Sequence, residues 1–373
     1  MLGRKAQRRH QRAFVQNAVR GPAGWSRIVR GADGRDEHPR WQQPQGGRFL
    51  GNGHLQTIFG NYLPRANHLP LAEDQLVEVS PATSSQISSQ LLCQCHWQPE
   101  PLRAAAPTAI IVHGLEGSSN SQYVIGNANK LWHSGCNIIR MNMRNCGGTE
   151  ALNPTLYHSG FSNDVFEVMR VFIARHGLTS ISLIGYSMGG NLVLKLAGDL
   201  GSAAPPQLRS GIGVSPAVDL DASADALHRP VNRVYEWKFL RALLRRYRRK
   251  VSLFPRIYDP NRASDIHSLR DFDERITAFY SGFTGADDYY HRAGAARVLD
   301  RIAVPTLILH ALDDPFVRIT PETRQKILAN PNITFLEPEH GGHCAFLAPP
   351  DEAASYDGYW AEHTLLRFLL TNA

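Results

Sequence analysis

From Pro107 onward, short runs rich in Ile, Val and Leu alternate with longer stretches of helical pattern, and this rhythm constrains the fold of the 373-residue chain more than any other feature. The runs are Thr108–His113, Asn137–Met143, Ser180–Gly185, Gly211–Ser215, Thr306–His310 and Asn332–Leu336. Each is nearly continuous in apolar residues. Strands of this kind are buried on both faces, as in a parallel sheet covered by crossover helices. Repeated strand–helix order therefore predicts an α/β fold, with a mostly parallel central sheet flanked by helices. Ligands of such sheets sit at the carboxyl ends of the strands, which is the edge to search for chemistry. Upstream, Gln75 to Trp97 holds two apolar runs around a Ser/Thr/Gln-rich turn, Ser80 to Ser89, and reads as a β-hairpin.

One interval breaks the rhythm. Between Pro216 and about Arg292 no strand-like run occurs, so residues 217–292 are expected to be a helical lid inserted over the strand ends. Within it Phe239, Leu240, Leu243, Leu244 and Tyr247 share one helical face, while Arg241, Arg245, Arg248 and Arg249 line another. The basic stretch from Arg241 to Lys250 suits peripheral contact with a membrane; its plainer reading is a solvated lid helix.

Charge is uneven along the chain. Residues 1–40 hold ten Lys or Arg against three Asp or Glu, which equals the whole chain's formal +7. The remainder is near neutral, so residues 1–45 are read as a basic, disordered tail and residues 46–373 as the folded domain. No nucleic-acid partner is expected from a charge excess confined to a tail. An Arg-Arg pair without a following apolar run does not make a secretory signal, and no apolar run is long enough to span a bilayer. Five cysteines in no framework spacing read as reduced thiols and a cytoplasmic setting. Cys93-Gln94-Cys95-His96 lacks a second ligand cluster, and reads as alternating strand side chains instead of a metal site.

The chemistry concentrates in Gly185-Tyr186-Ser187-Met188-Gly189, placed between an apolar run and a helical one. A serine at so sharp a strand-to-helix turn needs small neighbours two residues either side. The turn lifts the hydroxyl above the sheet edge, and the helix N-terminus behind it favours developing negative charge. Serine becomes nucleophilic when a base takes its proton, and that base needs a carboxylate to orient it. Asp313 and Asp314 follow the run Thr306–His310, and His340 and His343 follow Asn332–Leu336, so both partners fall in loops at the same edge as Ser187. Asp314 is preferred as the acid, with Asp313 as a turn or cap residue. His343 is preferred as the base over His340, because Gly341-Gly342 lets its ring turn inward. His310 reads as a hydrogen-bonded core histidine. The loop His113-Gly114-Leu115-Glu116-Gly117 offers the Leu115 amide, which with that of Met188 would form an oxyanion hole. His113 would anchor that loop, Glu116 would be solvated, and Arg144 to Thr149 would form a turn bordering the pocket.

These blocks, together with Gly53-His54-Leu55-Gln56-Thr57, Asn232-Arg233-Val234-Tyr235 and Asp271-Phe272-Asp273-Glu274-Arg275, closely resemble the YheT-like branch of the α/β-hydrolases, which includes eukaryotic lipases and acyltransferases. The resemblance runs from about residue 45 to the C-terminus. It implies a Ser187–Asp314–His343 triad with carboxylic-ester hydrolysis as the usual activity; the residues themselves are read as working through an acyl-enzyme, with no metal or organic cofactor needed. The expected substrate is a small-molecule or lipid-like ester. Acyl transfer by the same triad and a non-catalytic binding protein on the same scaffold are the alternatives.

Overall fold

The computed structural model describes residues 50–84, 87–351 and 356–373. The expected N-terminal tail lies outside the described residues. Eight strands form one sheet: β1 (Glu73–Ser80), β2 (Ser89–His96), β3 (Thr108–Val112), β4 (Asn137–Met141), β5 (Ile181–Tyr186), β6 (Leu208–Val214), β7 (Thr306–Leu309) and β8 (Ile333–Leu336). Their order across the sheet is β1-β2-β4-β3-β5-β6-β7-β8. β1 and β2 pair antiparallel, as the hairpin reading requires, and β2 pairs antiparallel with β4. From β4 onward every pairing is parallel. This is the mostly parallel α/β sheet expected from the apolar runs.

The continuous apolar runs have a direct cause. Successive strand residues point to opposite faces, and both faces are covered. On one face Ile110, Val112, Ile139 and Leu183 pack with Val168, Phe172 and Leu192 from α3 (Ser162–His176) and α4 (Met188–Leu200). On the other, Ala109, Ile111, Ile138 and Ile184 pack with Val124 and Leu131 of α2 (Gln122–His133) and with Trp360 and Leu369 of α9 (Trp360–Asn372). Cys93 and Cys95 point into the core and Gln94 turns outward, so the Cys-x-Cys spacing is strand alternation.

A short helix, α1 (Gly53–Tyr62), precedes the sheet, capped by the Asn52 side chain. Residues 217–292 contain no strand. They run through α5 (Leu220–His228), α6 (Arg233–Leu253), a helical segment 269–281 with a π-helical stretch Asp273–Ala278, and α7 (Ala286–Ala293). α8 (Pro321–Ala329) links β7 to β8. No helix among the described residues is long and apolar enough to cross a membrane.

Candidate active site

The strand β5 leads directly into α4, and Ser187 occupies the junction at φ 53° and ψ −117°. Its backbone is held on both sides: its N–H donates to Val214 O at 2.8 Å, and its carbonyl accepts from Asn191 and Ala217. The flanking glycines are explained by contact. A Cβ on Gly185 would run into the Gly189 carbonyl, and one on Gly189 into the carbonyls of His113 and Val112. The turn is therefore wedged between the helix behind it and the loop after β3, and only hydrogen fits at those two positions.

Asp314 follows β7 and is 1% exposed. One of its oxygens accepts from the Phe316 and Val317 amides, and the other accepts from His343 Nδ1 at 2.8 Å. Burial opposes ionisation of this carboxyl, but the His343 charge and these hydrogen bonds hold it below the usual carboxylate range. Burial likewise opposes the imidazolium of His343. The neighbouring Cys344 sulfur and the Asp314 carboxylate outweigh it and raise His343 well above an ordinary histidine. The rival residues form a separate, more exposed pair: His340 Nδ1 meets Asp313 Oδ2 at 3.2 Å, while Asp313 Oδ1 accepts from the Gly341 and Gly342 amides. Asp313 thus fastens the loop that carries His343, in the turn role foreseen for it.

The His343 ring and Ser187 line the same cavity, of about 760 Å³, together with Leu115, Tyr235, Phe239 and Phe316. No hydrogen bond joins Ser187 Oγ to the ring; contacts of this kind are often long until substrate closes the site. A second, mostly apolar cavity of about 100 Å³ also opens on Ser187, walled by Met188, Leu227, Leu243, Phe272 and Tyr289. Ser187, Leu115, Phe239 and Phe316 border both cavities, so the serine stands where they meet.

The Leu115 and Met188 amides carry no hydrogen bond among the described residues, whereas the amides flanking Leu115 are taken. Gly114 N–H donates to Tyr123 OH at 2.9 Å and Glu116 N–H to Tyr157 OH at 3.1 Å. His113 anchors this loop. Its Nε2 accepts from the Met143 amide, so its Nδ1 carries the hydrogen and donates to Gly114 O at 2.8 Å. Burial lowers its pKa to about 4, which keeps the ring neutral.

Several expectations need correction. Glu116 is not solvated: it accepts from Tyr157 OH at 2.6 Å and from Arg246 at 2.8 and 3.1 Å, because α6 crosses above the loop. His310 is buried, yet its Nδ1 has no partner among the described residues, so it is a core histidine without the expected hydrogen bond there. Residues 144–149 form a turn that lines neither cavity; Arg144 instead makes a buried bidentate pair with Asp164. Lys250 does not extend the basic face. It is fully buried, donates to the carbonyls of Glu150 and Asn153, and burial pulls its pKa down to about 7.

Sequence reasoning missed the support behind His343. Thr57 Oγ1 donates to Gly53 O and accepts from the His343 amide at 2.8 Å, and Gln56 accepts from the Leu347 amide at 2.8 Å. The Gly53-to-Thr57 block was visible as a motif, but nothing local connected it to a loop nearly three hundred residues away.

Fold and site together define an α/β-hydrolase. Residues 107–350 match the family model for the alpha/beta hydrolase fold, and the chain belongs to that family. Among its relatives is the YheT protein of Escherichia coli (strain K12), whose name proposes an esterase. It is 32% identical over 312 residues, 80% of this chain and 86% of that one. Phospholipase ABHD3 of Mus musculus is 28% identical over 242 residues, covering 65% of this chain and 58% of its own. Among solved structures, that of the 2,6-dihydroxy-pseudo-oxynicotine hydrolase shares the fold with a TM-score of 0.52 at 17% identity, over 85% of this chain and 72% of the other.

Proposed function

We propose that this protein hydrolyses carboxylic esters through a covalent acyl-enzyme on Ser187. The observation that carries the reading is the buried Asp314–His343 pair, facing the same cavity as a serine held at positive φ on a strand-to-helix turn. His343 accepts the Ser187 proton as Oγ attacks the ester carbonyl, and Asp314 fixes the ring's tautomer and offsets its charge. The Leu115 and Met188 amides, each without another partner among the described residues, stabilise the oxyanion. Collapse breaks the acyl–oxygen bond, the alcohol leaves with the proton from His343, and water repeats the sequence on the acyl-enzyme. Residues 217–292 act as a cover, since α6 supplies walls of both cavities and α5 and the segment 269–281 wall the smaller one.

The names of relatives, esterase and phospholipase, accord with ester chemistry. The larger cavity, though mostly apolar, also carries His54, Asn61, Lys238 and Arg245, polar groups that give water a place in it and accord with hydrolysis. Ser187→Ala should abolish turnover of a short-chain aryl ester, with an unchanged circular-dichroism spectrum. A variant that still turns over at the parent rate excludes Ser187 as nucleophile.

A further inference from the structure

The mouth of the larger cavity is ringed by side chains that a water-facing surface does not call for. Val231, Val234 and Trp237, at and just before the start of α6, are 66%, 75% and 60% exposed; Tyr62 at the end of α1 is 66% exposed. Ile58, Tyr62, Val231 and Val234 line the cavity and project from its rim. The two helices meet here: Lys238 Nζ donates to Tyr62 OH at 2.9 Å, and His54 stacks on Tyr235 at 5.8 Å.

The outward face of α6 continues from this apolar rim as a band of cations. Arg233, Lys238, Arg241, Arg245, Arg248 and Arg249 are exposed, and none makes an ion pair among the described residues. The one carboxylate in the helix, Glu236, is buried and accepts from the Leu269 amide. Val234, Trp237, Lys238, Arg241, Arg245 and Arg248 recur at three- and four-residue steps, so they form one stripe with an apolar end and a cationic end. Solvation alone explains scattered arginines, but not a carboxylate-free stripe joined to exposed Val and Trp at a cavity mouth.

We propose that α1 and the outer face of α6 dock on an anionic lipid bilayer, bringing the mouth of the larger cavity against the membrane. Charge complementarity selects this occupant. Residues 1–40 carry ten Lys or Arg against three Asp or Glu, so that segment is repelled by the face, and a second copy would present the same cations to it. A nucleic acid would engage the arginines and stack on Trp237 and Tyr62, but it would leave the exposed Val231, Val234 and Ile58 in water. A bilayer satisfies both ends: lipid phosphates meet the arginines, while Trp237, Tyr62 and the valines enter the boundary between headgroups and acyl chains.

The test is co-sedimentation of the full chain with vesicles of phosphatidylcholine alone and of phosphatidylcholine with one third phosphatidylglycerol. The protein should pellet with the anionic vesicles, and rising salt should release it. Each neutralised cation should lower partition about fivefold, so Arg241→Gln, Arg248→Gln and Arg249→Gln together should lower it about a hundredfold. The corresponding triple Lys variant should keep binding, and Trp237→Ala should weaken it without moving the thermal transition. Equal binding to neutral vesicles would overturn the proposal. So would undiminished binding by the triple Gln variant, or preferential binding of single-stranded RNA over anionic vesicles.

Discussion

Two adjacent aspartates, Asp313 and Asp314, differ in what surrounds them, and that difference supports the separate roles proposed for them. Asp314 is enclosed and meets His343; Asp313 meets an exposed histidine and two loop amides. Asp314→Asn should keep the shape but present the wrong tautomer to the base, lowering kcat about 10⁴-fold. Asp313→Asn should lower it far less, and steady-state kinetics on a soluble aryl ester separates the two. The raised proton affinity of His343 sets a direction in pH. The ring is a base only when neutral, so kcat/KM should climb as pH rises through its pKa. Cys344 is among the causes that raise it, so Cys344→Ala should move this limb of the profile to lower pH. Stability runs the other way. The folded state holds the His343 proton more tightly than the unfolded chain, a gain fully present below the unfolded pKa and lost as pH rises through the folded one. Denaturant titrations at several pH values would reveal that falling contribution.

At the scale of elements, α6 is a brace as well as a wall. Its Arg246 donates to Glu116 and to the carbonyl of Asn145, tying the helix to the loop that presents the Leu115 amide. Arg246→Met would leave a largely enclosed carboxylate without its cation, at a cost of about 2–3 kcal/mol. The loosened loop should also lower kcat about tenfold or more, with KM little changed. Thermal melting and saturation kinetics check both effects; wild-type kcat in a destabilised variant would limit the brace to folding. This contact was not legible in the sequence, because Glu116 and Arg246 lie 130 residues apart and each has the pattern of a solvated charge. Lys250 misled for a related reason. It belongs to a run of cations, but helical rotation carries it inward, where backbone carbonyls receive its ammonium. By contrast the elbow at Ser187 was legible, since its demand for Gly185 and Gly189 arises from backbone within a few residues and from the adjacent loop.

At the scale of the molecule, the sheet was largely readable because strands buried on both faces leave an uninterrupted apolar mark. The expected runs overlap β3 to β8, with β6 starting at Leu208 rather than Gly211, where Arg209 hid the strand's beginning. The two cavities were not readable, because their walls come from β-strand ends, α1 and the segment 217–292 at once. Their unequal sizes predict selectivity. An apolar cavity of about 150 Å³ admits benzene, so one of about 100 Å³ holds a compact arm of the ester of about four carbons. Across a series of aryl esters graded in acyl length, kcat/KM should peak at short chains. Leu243→Ala, which removes part of the wall, should shift the peak to longer ones.

In the proposed mechanism Ser187 becomes a nucleophile because His343, held by Asp314, acts on it across the shared cavity. Treating the full chain with a fluorophosphonate and mapping the modified peptide by mass spectrometry addresses this most directly. A single adduct on Ser187 is expected, strongly slowed by His343→Ala although the serine remains. Labelling elsewhere, or labelling of Ser187 at an undiminished rate without the imidazole, would contradict it.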